Sequence, residues 1–206
     1  SPIAAGSFLV AAIIAPAGRM LLCERGPVRE TGMPGLNPSL IALSLPAFFH
    51  TGWTNLGMWF VLLVCVGCAV VLVRVCVAVM SLPVLVVPFL MIFWLLWALA
   101  PHLDVLQPIG SETSRPESFH PITAVLCSLA QVMFVTNMWS GLLFAAGVLI
   151  SNWRHGVIAI LGATIGTAVA YFYHHADPGS TNLGSYGFNG VWTAVCVYTI
   201  CDGKLR

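Results

Sequence analysis

The chain has 206 residues, of which 59% are hydrophobic and only 7% are charged. Soluble domains carry about a quarter charged residues, so this composition excludes an ordinary soluble domain and indicates an all-α integral membrane protein in a lipid bilayer. A formal net charge of +1 gives no reason to expect a nucleic-acid partner. Cys65 and Cys68 form a CxxC within an apolar run, with no histidine or second pair beside them, so we expect no zinc site there.

The first 80 residues alternate apolar segments with one polar loop. A crossing of a hydrocarbon core about 30 Å thick needs about 20 apolar residues. Ile3–Leu22 and Gly57–Val79 supply such segments, and Arg74 lies close enough to the end of the second for its side chain to reach the interface. Pro34–Phe49 is shorter and contains Pro38 and Pro46, so we predict a re-entrant half-helix.

Ser81–Ala100 carries no charge and contains two prolines, Pro83 and Pro88. Prolines remove backbone hydrogen bonds, which in lipid is tolerated only where the freed carbonyls face protein or a watery cavity. We therefore predict a broken, pore-lining helix here. Residues 101–120 are polar and are interpreted as the linker between a first repeat, 1–100, and a second, 121–206.

The second half begins with three predicted helices, Pro121–Val135, Met138–Ile150 and Val157–Tyr173. Within the third, the GATIGTA sequence places small residues at helical spacing, which permits close helix packing. Thr164 and Thr167 are expected to donate hydrogen bonds to carbonyls of their own helix.

The stretch Leu183–Val195, LGSYGFNGVWTAV, runs from turn residues straight into an apolar segment, as the mouth of a second re-entrant half-helix would. An eroded copy, GMPGLNPSLIAL, lies 152 positions earlier, where Gly32, Gly35, Asn37 and Ala42 correspond to Gly184, Gly187, Asn189 and Ala194. Internal repeats of interrupted apolar segments are typical of transporters. Five predicted crossings separate the two copies, and an odd number inverts the second repeat.

The arginines predict the orientation. The topology places most of them on one side, which the positive-inside rule assigns to the cytoplasm: Arg19, Arg25, Arg29, Arg115 and Arg154.

Three motifs in this order resemble the urea transporter family, whose halves carry QVxFxxNPxSGxL-like, GLYGYNG-like and LPxxTxPF stretches. The matching residues are Gln131-Val132-Met133-Phe134 with Asn137, Ser140, Gly141 and Leu142; Gly184 to Gly190; and Leu82-Pro83 with Pro88-Phe89. The resemblance implies a multi-pass channel of the bacterial inner membrane, built from an inverted repeat with two re-entrant half-helices. It also implies a homotrimer in which each subunit has its own pore.

In that family, urea passes through a slot whose apolar walls press its two faces while oxygen acceptors take its N–H groups. By this resemblance Gln131 is the acceptor, and the other pore-lining positions are Val132, Phe134, Phe188, Trp192, Leu36, Leu40 and Phe89. No catalytic constellation and no carboxylate occurs in the apolar segments, so passive conduction of urea or a similar small amide is expected, without enzyme activity, cofactor or metal.

Departures from the family pattern leave alternatives open. Val86 replaces the signature threonine, and Trp192 replaces a smaller aliphatic residue that would leave the slot wider. The first repeat lacks the QVxF pair and the second lacks the LPxxTxPF helix, so we expect the chain to be incomplete at both ends. A non-transporting membrane subunit is the main alternative. A membrane enzyme or cofactor subunit is a third, with a site at His174, His175 and Asp177.

Overall fold

The computed structural model describes residues 1–21, 33–80, 84–110 and 118–204. These residues belong to two compact units, Ser1–Gly110 and Ser111–Arg206. The described residues are mainly helical, and their β-pairing is an isolated bridge between Phe49 and Pro108.

The first unit contains four α-helices: α1 Pro2–Leu21, α2 Met33–Phe48, α3 Leu56–Val79 and α4 Val87–Leu99, the last followed by a 3₁₀ turn over Ala100–His102. Asn55 starts α3 by accepting a hydrogen bond from the backbone N–H of Met58 at 3.0 Å. The bounds of α1 and α3 agree with the predicted spans to within one residue.

The predicted helix over Ser81–Ala100 is wrong at its start. Helix α4 begins at Val87, and Pro88 lies in its first turn. The missing N–H of a proline is no loss there, because the first N–H groups of a helix have no partner within the helix. Pro88 therefore starts this helix rather than breaking it. Pro83 lies outside the described residues.

Residues after α4 return to the end of α2. The backbone N–H of His50 donates to the carbonyl of Gln107 at 2.8 Å, and that of Ile109 donates to the carbonyl of Phe48 at 2.9 Å. The first part of the predicted linker is thus paired with the first unit. Phe48, Phe93 and Trp97 pack their rings around this junction.

The second unit contains α5 Pro121–Gln131, α6 Met138–Ser151, α7 Trp153–Ala168 with a π-helical extension Val169–Tyr173, a short α8 Pro178–Asn182, and α9 Gly187–Lys204. Asn137 caps α6 through the backbone N–H groups of Trp139 and Ser140. Asn152 caps α7 in the same way, so α7 begins four residues earlier than predicted.

Helix α5 is shorter than the predicted Pro121–Val135. It ends at Gln131, and residues 132–134 form a turn. Phe134 has a φ of +57°, a left-handed conformation that an L-residue rarely adopts and that cannot continue a right-handed helix. Val132 and Phe134 therefore lie in a turn, and not on a helix as predicted.

Glycines bring α7 and α9 together. A Cβ atom at Gly162 would meet the backbone carbonyl of Gly190, and one at Gly190 would meet the carbonyl of Gly162. At Gly166 a Cβ would lie 3.2 Å from the backbone of Gly187. The small residues of GATIGTA thus make the close helix crossing that their spacing predicts.

Two described helices are long and apolar enough to cross a membrane: Leu56–Val79, of 24 residues, and Trp153–Tyr173, of 21 residues. At 1.5 Å per residue, each reaches or exceeds about 30 Å, the thickness of a hydrocarbon core. Many of their large apolar side chains are exposed on the surface of the described structure.

Helix α1 packs against α2 in the first unit, and α7 packs against α9 in the second. The buried residues on the first helix of each pair are small. Ser7, Ala11 and Ala15 of α1 are buried, and so are the residues 152 positions later: Ala159, Ala163 and Thr167. Each pair therefore packs through small residues on the first of its two helices.

Candidate functional site

In the first unit, the candidate residues cluster around Asn37. Its side chain is 1% exposed and joins α2 to the start of α4. The carboxamide nitrogen donates to the carbonyl of Leu85 at 2.8 Å, and the carboxamide oxygen accepts from the backbone N–H of Phe89 at 2.9 Å. Leu85 has a φ of +45°, so its carbonyl is presented by an uncommon backbone conformation.

Phe89 and Leu40 are buried within this unit, and Leu36 is half-buried. The ring of Phe89 stacks on that of Phe93 with 5.6 Å between centroids. Of the three pore-lining candidates in this unit, Leu36 thus keeps the most exposed surface, while the other two pack within the unit.

Val86 stands at the N-cap of α4. Its φ of −100° and ψ of 9° are not helical, and its side chain makes no capping hydrogen bond. The backbone donors of the first turn of α4 are already used: the N–H of Val87 donates to the carbonyl of Val84 at 3.1 Å, Pro88 has no N–H, and Phe89 donates to Asn37. A threonine hydroxyl at this position would therefore find no free donor in that turn.

In the second unit, Gln131 is the last residue of α5 and is half-buried. Its carboxamide makes no hydrogen bond to the described residues, so its oxygen is available as an acceptor. The turn that follows contains Val132, which is buried, and Phe134, which is half-buried in its left-handed conformation. Strained backbone of this kind costs about 1–3 kcal/mol and is concentrated at functional sites.

Phe188 and Trp192 lie one turn apart on α9, and both are half-buried. With Val132, they belong to one hydrophobic cluster whose buried core also contains Leu129, Ala145, Ala159, Ala163 and Val191. The structure thus brings three of the five candidates of this unit into one cluster, while Gln131 and Phe134 lie at the adjoining turn.

The chain turns sharply just before α9. Gly184 has a φ of +81°, and a Cβ there would meet the backbone of Cys127 and Ser128 on α5. A Cβ at Gly187 would meet the hydroxyls of Ser128 and Thr167. Both glycines are therefore needed for α9 to begin against α5 and α7.

A sequence model of the urea transporter family matches residues 1–202. The chain belongs to the urea transporter family. The family resemblance seen in the three motifs is thereby confirmed. A comparison with curated proteins found no match. Members of this family are membrane-embedded channels or transporters of urea, and not enzymes.

Two polar pairings in this urea transporter family member could not be predicted from the local sequence. Ser128 and Thr167 are buried, and their hydroxyl oxygens lie 3.2 Å apart. Thr167 was expected to bond to its own helix, as Thr164 does to the carbonyl of Ile160 at 2.8 Å. The prediction for Thr167 misses its partner on α5, because that partner lies 39 residues away.

The second pairing fixes the entry to α5. Asn182, which is buried at the end of α8, accepts from the backbone N–H of His120 and donates to the carbonyl of Ser118, each at 2.8 Å. A turn-rich sequence around Asn182 could have suggested a structural role, but nothing local indicates the partner.

The alternative site at His174, His175 and Asp177 is explained by local structure. Asp177 caps α8, since its carboxylate accepts from the backbone N–H of Ser180 at 2.8 Å. Both histidines are exposed, and His175 has a φ of +51°. The described residues contain no group of three or more side chains that could hold a metal ion.

Proposed function

We propose that this chain conducts urea, or a similar small neutral amide, down its gradient through an apolar slot edged by hydrogen-bond acceptors. The proposal places the chain in a bacterial inner membrane as a multi-pass protein that assembles as a homotrimer. Membership in the urea transporter family supports the substrate class.

The proposed mechanism depends on one observation, the half-buried carboxamide of Gln131. Urea offers four N–H donors, and removing their water is costly unless acceptors replace it. A half-buried carboxamide with no partner among the described residues supplies such an acceptor without first having to break a bond within the protein. A weak, uncharged acceptor also lets the solute leave again.

Each unit contributes apolar residues of its own. In the second unit, Phe134, Phe188 and Trp192 are half-buried and keep exposed surface that can press on the planar faces of urea, and the buried Val132 belongs to the same hydrophobic cluster as Phe188 and Trp192. In the first unit, Leu36 keeps exposed surface, while Leu40 and Phe89 are buried. Packing against a close-packed core holds the aromatic rings in place, which a narrow slot requires.

The architecture that goes with this mechanism is an inverted repeat with two re-entrant half-helices. The packing of α1 against α2 and of α7 against α9, together with the sequence spacing of 152 residues, supports a repeat. Helix α2 contains two internal prolines, Pro38 and Pro46, which favours a segment that enters the membrane only part way.

Stopped-flow light scattering on proteoliposomes under a urea gradient tests the proposal. We expect shrink-swell rates above those of protein-free vesicles, and about a tenfold loss of urea flux in Gln131→Leu, because one acceptor is worth about 1–3 kcal/mol to an otherwise unpaired donor. Gln107→Leu is the matched control, since Gln107 is exposed and its bond to His50 uses the backbone. Equal flux with and without protein would refute the proposal.

A non-transporting subunit is the second candidate, and Trp192 favours it. This large indole stands where the family has a smaller side chain, and it is packed against the core of the second unit. A closed slot would leave the chain with a structural or partner-binding role. Urea flux in Trp192→Leu separates the two candidates.

A further inference from the structure

An open groove lies where α6, α7 and α9 meet, near Asn152. Its volume is about 670 Å³. It is lined by apolar residues, including Phe144, Gly147 and Val195, and by the polar residues Ser151, Asn152 and His155, which lie at the end of α6 and the start of α7. A Cβ at Gly147 would meet nothing within 4 Å, so the groove reaches the backbone of α6.

Two exposed tryptophans place this groove relative to the membrane. Trp139 lies in the first turn of α6 and Trp153 begins α7, and each is 65% exposed. Between them, the large side chains of Leu143 and Ile150 are also exposed. Tryptophan is enriched at membrane interfaces, and apolar side chains between two such residues face the hydrocarbon. The polar residues of the groove, beside Trp153, therefore lie at the headgroup level.

An exposed cation, Arg154, lies in sequence between the lining residues Asn152 and His155, although it does not itself line the groove. The guanidinium carbon of Arg154 lies 5.7 Å from the centre of the Trp153 ring, and the residue is exposed. His155 orients its ring against Tyr198, with 5.3 Å between centroids, and its Nε2 lies 3.4 Å from the hydroxyl of Thr199. Helices α6 and α7 contain no carboxylate.

We propose that this groove binds an anionic phospholipid. The phosphate pairs with Arg154 and accepts hydrogen bonds from the polar groups at the mouth, while an acyl chain lies along Phe144, Gly147 and Val195. The arrangement of these residues favours an anionic phospholipid, because a cation and hydrogen-bond donors lie at headgroup depth and apolar residues line the groove below them. A helix from a second copy would cover the floor but leave the polar mouth without a matching charge. Our assignment of Arg154 to the cytoplasmic side fits this ligand, because that leaflet attracts basic side chains through its anionic lipids.

Native mass spectrometry of the full chain in detergent tests the site, with palmitoyl-oleoyl phosphatidylglycerol and phosphatidylcholine as probes. We expect phosphatidylglycerol to bind about fivefold more tightly, as one basic residue at an anionic surface predicts. Arg154→Gln should remove the preference, and because the residue is exposed this variant leaves the fold intact. Gly147→Leu should lose bound lipid altogether by filling the groove.

The matched control is Gly67→Leu. A Cβ at Gly67 also meets nothing within 4 Å, and Gly67 lines an apolar groove on α3 with no polar mouth. This variant should keep the phosphatidylglycerol preference. Equal binding of the two lipids by the unmodified chain would overturn the proposal, as would retained preference in Arg154→Gln. A loss of oligomer mass instead of lipid in Gly147→Leu would show that a second copy occupies the groove, which also overturns it.

Discussion

The carboxamide oxygen of Asn37 accepts the backbone N–H of Phe89 at 2.9 Å, across 52 residues of sequence. The same side chain donates to the carbonyl of Leu85, so one buried amide satisfies a donor and an acceptor on either side of the start of α4. Asn37 thereby sets the position of Phe89 and of the Val86 cap relative to α2.

Asn37→Ala is expected to destabilise the chain by about 2 kcal/mol, because it removes the two hydrogen bonds through which this buried amide joins α2 to the start of α4. Thermal unfolding in detergent, followed by tryptophan fluorescence, measures the effect. Asn189→Ala is the matched control: Asn189 occupies the corresponding position of the repeat, and its side chain is exposed. A comparable loss in both variants would contradict the role assigned to Asn37.

Val86→Thr is expected to change stability by less than about 0.5 kcal/mol, because the first turn of α4 offers the new hydroxyl no free donor: Val87 donates to Val84, Pro88 has no N–H, and Phe89 donates to Asn37. If the proposed slot is correct, the new oxygen raises urea flux in proteoliposomes. Val84→Thr adds a hydroxyl two residues earlier and should leave urea flux unchanged. A gain of about 1 kcal/mol in the thermal stability of Val86→Thr would show that the hydroxyl caps the helix after all.

Gly190→Ala and Gly147→Ala are expected to change stability in opposite directions. A methyl group at Gly190 collides with the backbone of Gly162, which cannot move without separating α7 from α9, so a loss of about 1–3 kcal/mol follows. At Gly147 nothing lies within 4 Å, and the better helix propensity of alanine should add about 0.5–1 kcal/mol. The unfolding temperatures of the two variants and of the unmodified chain, measured in the same detergent, test both expectations.

Trp192→Leu is expected to raise urea flux by widening the slot, and to lower stability because the indole packs against the core of the second unit. Partial loss of an aromatic contact costs about 1–3 kcal/mol. Stopped-flow light scattering and thermal unfolding measure the two effects. Trp139→Leu, at an exposed position on α6, should leave urea flux unchanged. Unaltered flux in Trp192→Leu would mean that this side chain does not obstruct the path.

Ser7→Ala is expected to be neutral or to stabilise the chain by about 1 kcal/mol. The hydroxyl of Ser7 is fully buried and has no hydrogen-bond partner within the described residues, and the corresponding residue of the repeat, Ala159, already lacks one. Removing an unpaired buried polar atom removes its desolvation cost. Ser44→Ala is the contrast, since the Ser44 hydroxyl donates to the carbonyl of Ile41 at 2.8 Å. A clear loss of stability in Ser7→Ala would contradict this expectation.

The amino-acid sequence alone determined the class of the protein, its family and the approximate bounds of several helices. The lengths of the apolar runs predicted α1 and α3 well, because a membrane segment satisfies its own backbone hydrogen bonds and needs little help from distant residues. The spacing of small residues in GATIGTA likewise predicted a close contact, since helical periodicity is local.

Only the tertiary structure decided where α4 begins, where α5 ends and which side chains meet. Phe134 ends α5 in a left-handed conformation that no local sequence rule requires, and Asn37 finds its partners 48 and 52 residues away. Thr167 of α7 bonds to Ser128 of α5, 39 residues away, and both hydroxyls lie against Gly187 at the start of α9. Such contacts depend on which helix faces lie together. Buried polar atoms take the partner that packing provides, and a one-dimensional pattern does not specify it.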